Sequence, residues 1–131
     1  LSGSRMKASL ALTLLFCSAL LVVSKPVDLT NSNFESETGS KPTFIKFFAP
    51  WCGHCTKLAP TWDALSDKVD SELEGVAKIA NVDCTVEHDL CNKYNIRGYP
   101  SLIMLKDGET LNFQGQRNEE GLLEFVKKHT S

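Results

Sequence analysis

The chain has 131 residues, 42% hydrophobic and 8% aromatic, enough to build the core of one ordinary domain and too few for two. Its formal net charge is −2; without residues 1–24, which hold Arg5 and Lys7, 12 basic side chains stand against 16 acidic ones and the balance is −4. Such a balance leaves no basic footprint for nucleic acid or an anionic membrane, and both drop out as expected partners.

Residues 1–5 precede the first methionine and are set apart from the fold. Arg5-Met6-Lys7 then opens an apolar run, residues 8–23, interrupted by Ser9, Thr13 and Ser18, and Val22-Val23-Ser24 offers small residues before Lys25-Pro26. A charged start, a short apolar stretch and a small-residue exit have the form of a secretory signal peptide. The run is shorter than the about 20 apolar residues that a membrane anchor needs. The expected organisation is upstream residues plus signal peptide over 1–24 and one domain over 25–131, with no membrane anchor in the mature chain.

Within the domain, residues 27–29 form a short extended piece, and Ser32-x-x-Glu35 has the pattern of a capping box opening a short helix that buries Phe34. Residues 43–48 are β-branched and aromatic, apolar on both faces except for Lys46, which suggests a central strand covered from both sides. From His54 onward, Leu58, Trp62, Leu65 and Val69 fall on one helical stripe, with Pro60 expected to kink the helix. A second strong strand is expected over 76–82. A short helix follows over 85–94, with Val86, Leu90 and Tyr94 on one face, then a strand over 101–105. Asp107-Gly108 signals a hairpin whose return strand is 110–113. Asn118 caps a last helix that aligns Leu122, Phe125, Val126 and His129. The result is a mixed α/β sheet between helices.

Five cysteines remain to be sorted. Cys17 lies in the signal run. The other four have spacings C-x2-C (Cys52, Cys55) and C-x6-C (Cys84, Cys91), and in an oxidising compartment either pair could be a structural staple or a chemical tool. A zinc site made from all four is a third possibility. His88 and His129 are expected to be ordinary surface or helix residues.

Cys52-Gly53-His54-Cys55 follows a strand and opens a helix, and that placement has a chemical consequence. Unpaired N–H groups and the positive end of the helix dipole stabilise a thiolate, the species that attacks a disulfide. Two intervening residues let the second sulfur reach the first within one turn. Cys52 is then the nucleophile and Cys55 the resolving thiol. His54, between the sulfurs, stabilises the reduced thiolate and makes the disulfide the stronger oxidant.

Ala49-Pro50-Trp51-Cys52-Gly53-His54-Cys55 with Leu58-Ala59-Pro60, Val82-Asp83-Cys84, Arg97-Gly98-Tyr99-Pro100 and Gly115-x-Arg117 resembles the protein disulfide isomerase family, which has the thioredoxin fold. The resemblance spans nearly all of residues 25–131. It implies a central mixed β-sheet flanked by helices on both faces, with Cys52 and Cys55 as the redox pair of a catalytic set that includes Gly53 and His54. It implies a substrate surface at Trp51, Tyr99 and a cis Pro100, and an Arg97 able to swing toward Cys55 and lower its pKa. It also implies a structural disulfide between Cys84 and Cys91; free or secondary redox thiols are the alternative there. One position departs from the family: six residues before the nucleophile, where a buried acid usually exchanges protons with the second cysteine, this chain has Lys46. Buried, its amine should titrate low and could still shuttle a proton; snorkelling or paired, it could not.

The function expected on these grounds is formation and rearrangement of disulfides in client proteins of the secretory pathway. The clients are unfolded or misoxidised polypeptides, an oxidase or glutathione provides turnover, and neither cofactor nor metal is required. A thioredoxin-like reductase and a redox-inactive client-binding or chaperone module are the rivals. The expected location is the lumen of the endoplasmic reticulum, with secretion as the alternative because the sequence ends Lys127-Lys128-His129-Thr130-Ser131 without a KDEL-like tail.

Overall fold

The computed structural model of the protein describes residues 24–131, so the signal-peptide expectation lies outside the described residues. The elements follow the order β1 (Val27–Asp28), α1 (Phe34–Thr38), β2 (Thr43–Phe48), α2 (Gly53–Glu72), β3 (Lys78–Asp83), α3 (His88–Lys93), β4 (Ser101–Lys106), β5 (Glu109–Asn112), α4 (Glu119–Thr130). One five-stranded sheet runs β1-β3-β2-β4-β5. β2, the strand with apolar residues on both faces, lies at its centre, parallel to β3 and antiparallel to β4.

Alternation along β2 sends its side chains to two separate cores. Phe44 meets Trp62, Leu65 and Val69 of α2 and Leu122 and Val126 of α4 on one face. Ile45 and Phe47 meet Phe34 and Leu90, under α1 and α3, on the other. The mixed sheet with helices on both faces is the architecture expected from the resemblance. Helix α2 holds the sheet most firmly, since Leu58, Trp62, Leu65 and Val69 are all buried and Trp62 Nε1 donates to the Ala80 carbonyl at 3.2 Å. Pro60 sits inside this helix without interrupting it.

Several boundaries differ from the sequence pattern, each for a local reason. The capping box at Ser32 does not form: the N-cap is Asn33, with no side-chain cap bond, and Ser32 Oγ pairs with Thr30 Oγ1 at 3.0 Å. Val86 is exposed because the Asp83 carboxylate takes both the N–H and the hydroxyl of Thr85, and this turn delays α3 to His88. β3 starts at Lys78, where its N–H first reaches the Pro42 carbonyl, at 2.8 Å. Asp107 and Gly108 both have positive φ, 51° and 79°, so the turn takes only two residues and pairing resumes at once between Lys106 and Glu109. Asn118 caps α4 as its sequence suggests, Oδ1 accepting from the Gly121 N–H at 2.8 Å.

Cys84 and Cys91 form a disulfide across a sequence separation of 7. Closing so short a loop restricts the unfolded chain and is worth about 2–3 kcal/mol. The double replacement Cys84→Ser/Cys91→Ser should lower unfolding free energy by that amount in urea titration. Disulfide exchange per folded molecule at Cys52 should not change.

Candidate redox site

The C-terminal end of β2 delivers the chain into Ala49-Pro50-Trp51 and then into the first turn of α2. Cys52 is the N-cap of that helix, with extended backbone (φ −80°, ψ 121°), and its Sγ accepts from the Cys55 N–H at 3.3 Å. A thiol thus fills the role that Ser or Asp usually fills at a helix start. Both cysteines are free, and they differ in exposure: Cys52 is 9% exposed and Cys55 3%.

The two thiols are pushed in opposite directions. The hydrogen bond from the Cys55 side chain, the backbone N–H groups of Cys55 and His54 and the charge of Arg117 hold Cys52 below the ordinary thiol value, against the opposing effect of burial. Burial, the hydrogen bond to Cys52 and the negative charge that Cys52 carries raise Cys55, while a backbone hydrogen bond involving Ala49 and the charge of Lys46 pull it down. The reduced protein should therefore alkylate at Cys52 at lower pH than an ordinary thiol, and at Cys55 at higher pH. Mapping iodoacetamide adducts by mass against pH checks this; equal rates at the two sulfurs would contradict it.

A second segment completes the rim. The Tyr99–Pro100 peptide is cis, and the Tyr99 carbonyl lies 3.6 Å from Cys52 Sγ. Trp51, 73% exposed, meets the Tyr99 ring edge-on at 5.8 Å. Beside them Gly53 and His54 are exposed, and nothing stands where a Cβ on Gly53 would lie. The surface over Cys52 is thus an aromatic shelf, open above Gly53, and an aromatic side chain so exposed contributes little to packing.

Beside Cys55 lies a cleft of about 210 Å³ lined by Lys46, Phe48, Ala49, Pro50, Cys55, Thr56 and Ala59. Lys46 is 5% exposed and its Nζ sits 5.1 Å from the centre of the Phe48 ring. Among the described residues it makes no hydrogen bond or ion pair. Burial lowers its pKa, against the charges of Asp63, Cys55 and Asp28.

The structure brings together Trp51, Cys52, Gly53, His54, Cys55, Tyr99, Pro100 and Lys46. It does not bring in Arg97, which stands exposed and makes no hydrogen bond or ion pair among the described residues. The arginine that does reach the rim is Arg117, and it acts on Cys52 through its charge, whereas the resemblance assigns Arg97 to Cys55. Arg117 Nη2 donates to the Pro100 carbonyl at 3.1 Å. The Gly115-x-Arg117 pattern was visible in the sequence, but the contact that gives Arg117 a role spans 17 residues and exists only in the fold. A four-cysteine zinc set is not assembled, since Cys84 and Cys91 are bonded to each other. Among the described residues no helix is long and apolar enough to cross a membrane.

Comparison with known proteins agrees with this geometry. The thioredoxin family model matches residues 25–128. The chain is 39% identical over 108 residues to protein disulfide-isomerase A3 of chicken, covering 80% of this chain and 21% of that one. It is 41% identical over 118 residues to a probable protein disulfide-isomerase A6 of Medicago sativa, covering 85% of this chain and 32% of that one. The zinc-bound form of human ERp44 superposes with a TM-score of 0.77 at 26% identity, over 82% of this chain and 31% of that one. The chain therefore spans about a fifth to a third of these curated relatives. With the match to residues 25–128 and the five-stranded sheet between helices, the chain belongs to the thioredoxin family, as a thioredoxin domain related to the protein disulfide-isomerases.

Proposed function

We propose that this domain is a thiol–disulfide oxidoreductase of the protein disulfide isomerase type, forming and rearranging disulfides in client polypeptides of the secretory pathway. The observation that carries the proposal is the pairing of a low-titrating Cys52 at a helix N-cap with a high-titrating, buried Cys55 behind it. The Cys52 thiolate attacks a client disulfide or, when oxidised, is attacked by a client thiolate. Either way a mixed disulfide forms at Cys52. Cys55 gives up its proton and its thiolate attacks the Cys52 sulfur, releasing the client thiolate and regenerating the Cys52–Cys55 disulfide. Run in reverse, the same steps pass the disulfide to a client.

Trp51, Tyr99 and Pro100 form the surface that meets the client, and His54 favours the reduced thiolate. Lys46 takes the Cys55 proton across the cleft: burial favours its neutral amine, and a neutral amine is a base. Arg97, exposed and uncommitted, is proposed to swing toward Cys55 and promote the same deprotonation. An oxidase or glutathione restores the oxidised state, with no cofactor. The apolar run at residues 8–23 supports entry into the secretory pathway, with the endoplasmic reticulum lumen as the proposed location and secretion as the alternative.

A glutathione redox equilibrium of Cys52–Cys55 tests the direction of the chemistry. The expected potential is near the about −180 mV of an isomerase; a value near about −270 mV would make the domain a thioredoxin-like reductase instead.

A further inference from the structure

On the α2 side of the sheet, three polar residues occupy one row across adjacent parallel strands. Asp28 of β1 is in register with Asn81 of β3, and Asn81 with Lys46 of β2. Matching positions on parallel strands point to the same face. Asn81 Nδ2 donates to Asp28 Oδ1 at 3.1 Å. Its other end, Oδ1, is buried without a hydrogen-bond partner, the one such side-chain atom among the described residues. A buried orphan acceptor is costly and calls for a reason. Its neighbour in the row, Lys46, is a 5%-exposed donor with no hydrogen bond or ion pair among the described residues. Asn81 Oδ1 lacks a donor, and the Lys46 amine, lining the cleft, is uncommitted to any protein acceptor among the described residues.

This inference rests on Lys46 as the acceptor of the Cys55 proton. We propose that Asn81 and Asp28 are positioning residues that receive the Lys46 ammonium once it carries that proton. The Cys55 S–H bond breaks, Nζ gains the proton, and sulfur keeps the electron pair. The thiolate then attacks the Cys52 sulfur of the mixed disulfide, and the client sulfur leaves with the electron pair of the broken S–S bond and takes a proton from solvent. Meanwhile the ammonium turns from the cleft to Asn81 Oδ1, whose amide is polarised by the Asp28 carboxylate at its far end. Lys46 later returns its proton to water through the cleft.

The other groups facing Lys46 do not serve this purpose. Asp63 of α2 favours the Lys46 cation through its charge, and Asp28 does so directly as well, more weakly. Leu102, its register partner on β4, carries no charge. Asn81 offers a neutral acceptor, which attracts the ammonium without fixing its charge.

The test uses the full chain carrying a mixed disulfide between Cys52 and a thiol peptide, with release of the peptide followed against pH. Asn81→Leu is near in size and deletes an unpaired polar atom, so the fold should tolerate it; a urea titration checks this. Release should slow roughly tenfold at neutral pH, the worth of one hydrogen bond to a charged group, and its pH profile should move upward. Alkylation of Cys52 should not change, and Asp28→Asn should slow release in the same direction by less. In the Lys46→Met background, Asn81→Leu should have no further effect. Wild-type release by Asn81→Leu at every pH, or effects that multiply in the double variant, would overturn the role of the row. Wild-type release by Asp28→Asn would remove Asp28 from it. Lys46→Met releasing at the wild-type rate would instead overturn Lys46 as proton acceptor, whatever Asn81 does.

Discussion

Cys52→Ser should reduce disulfide exchange with a model client to background, a loss on the order of 10³-fold or more, the scale on which covalent nucleophiles contribute. The serine hydroxyl can still cap α2, so the loss should come without unfolding. Cys55→Ser should behave differently. Cys52 still attacks, but no second sulfur stands 3% exposed behind it to expel the client, and mixed disulfides should accumulate. Non-reducing gels of protein incubated with an oxidised client separate the two outcomes. If Cys52→Ser kept its activity, the domain would be a client-binding module that merely carries the motif. If Cys55→Ser trapped nothing, release would not depend on the second cysteine.

Trp62→Ala should be the most damaging single change to stability. The indole is fully buried, packs edge-on against Phe44 at 4.9 Å, and ties α2 to β3 through the Ala80 carbonyl. Removing it costs about 3–5 kcal/mol, a large part of the 5–15 kcal/mol that holds a typical domain together. The thermal midpoint should fall by more than about 10 °C. Since α2 carries both sulfurs, activity should be lost at the same temperature as the fold and not before it. Paired melting and activity curves show this; a variant with an unchanged midpoint would mean that the core does not depend on this ring.

The parts legible in the sequence were those governed by local periodicity or by a motif's own spacing. The stripe Leu58, Trp62, Leu65, Val69 and the two-faced strand 43–48 each have one stable placement, and both lie where their patterns put them. The Asn118 cap is likewise local. Boundaries failed where a side chain competed with the backbone: Asp83 turned residues 84–87 into a loop, and Thr30 drew Ser32 away from its capping role. Charges that meet across the fold were the least visible. Arg117 touches a carbonyl 17 residues away, and the role proposed for Asn81 depends on a register that joins three strands. Nothing in the local sequence distinguishes Asn81 from any other strand asparagine.

The unequal depth of the two sulfurs separates recruitment from dwell time. On the proposed mechanism, which clients engage is decided at the aromatic shelf of Trp51 and Tyr99, outside the fold. How long each stays bound is decided inside it, where Cys55 loses its proton beside Lys46. Substitutions on the shelf should retune client preference while leaving residence unchanged, and substitutions along the strand row should do the reverse. Related domains could thus diverge into fast generalists or slow retainers by changing one layer at a time.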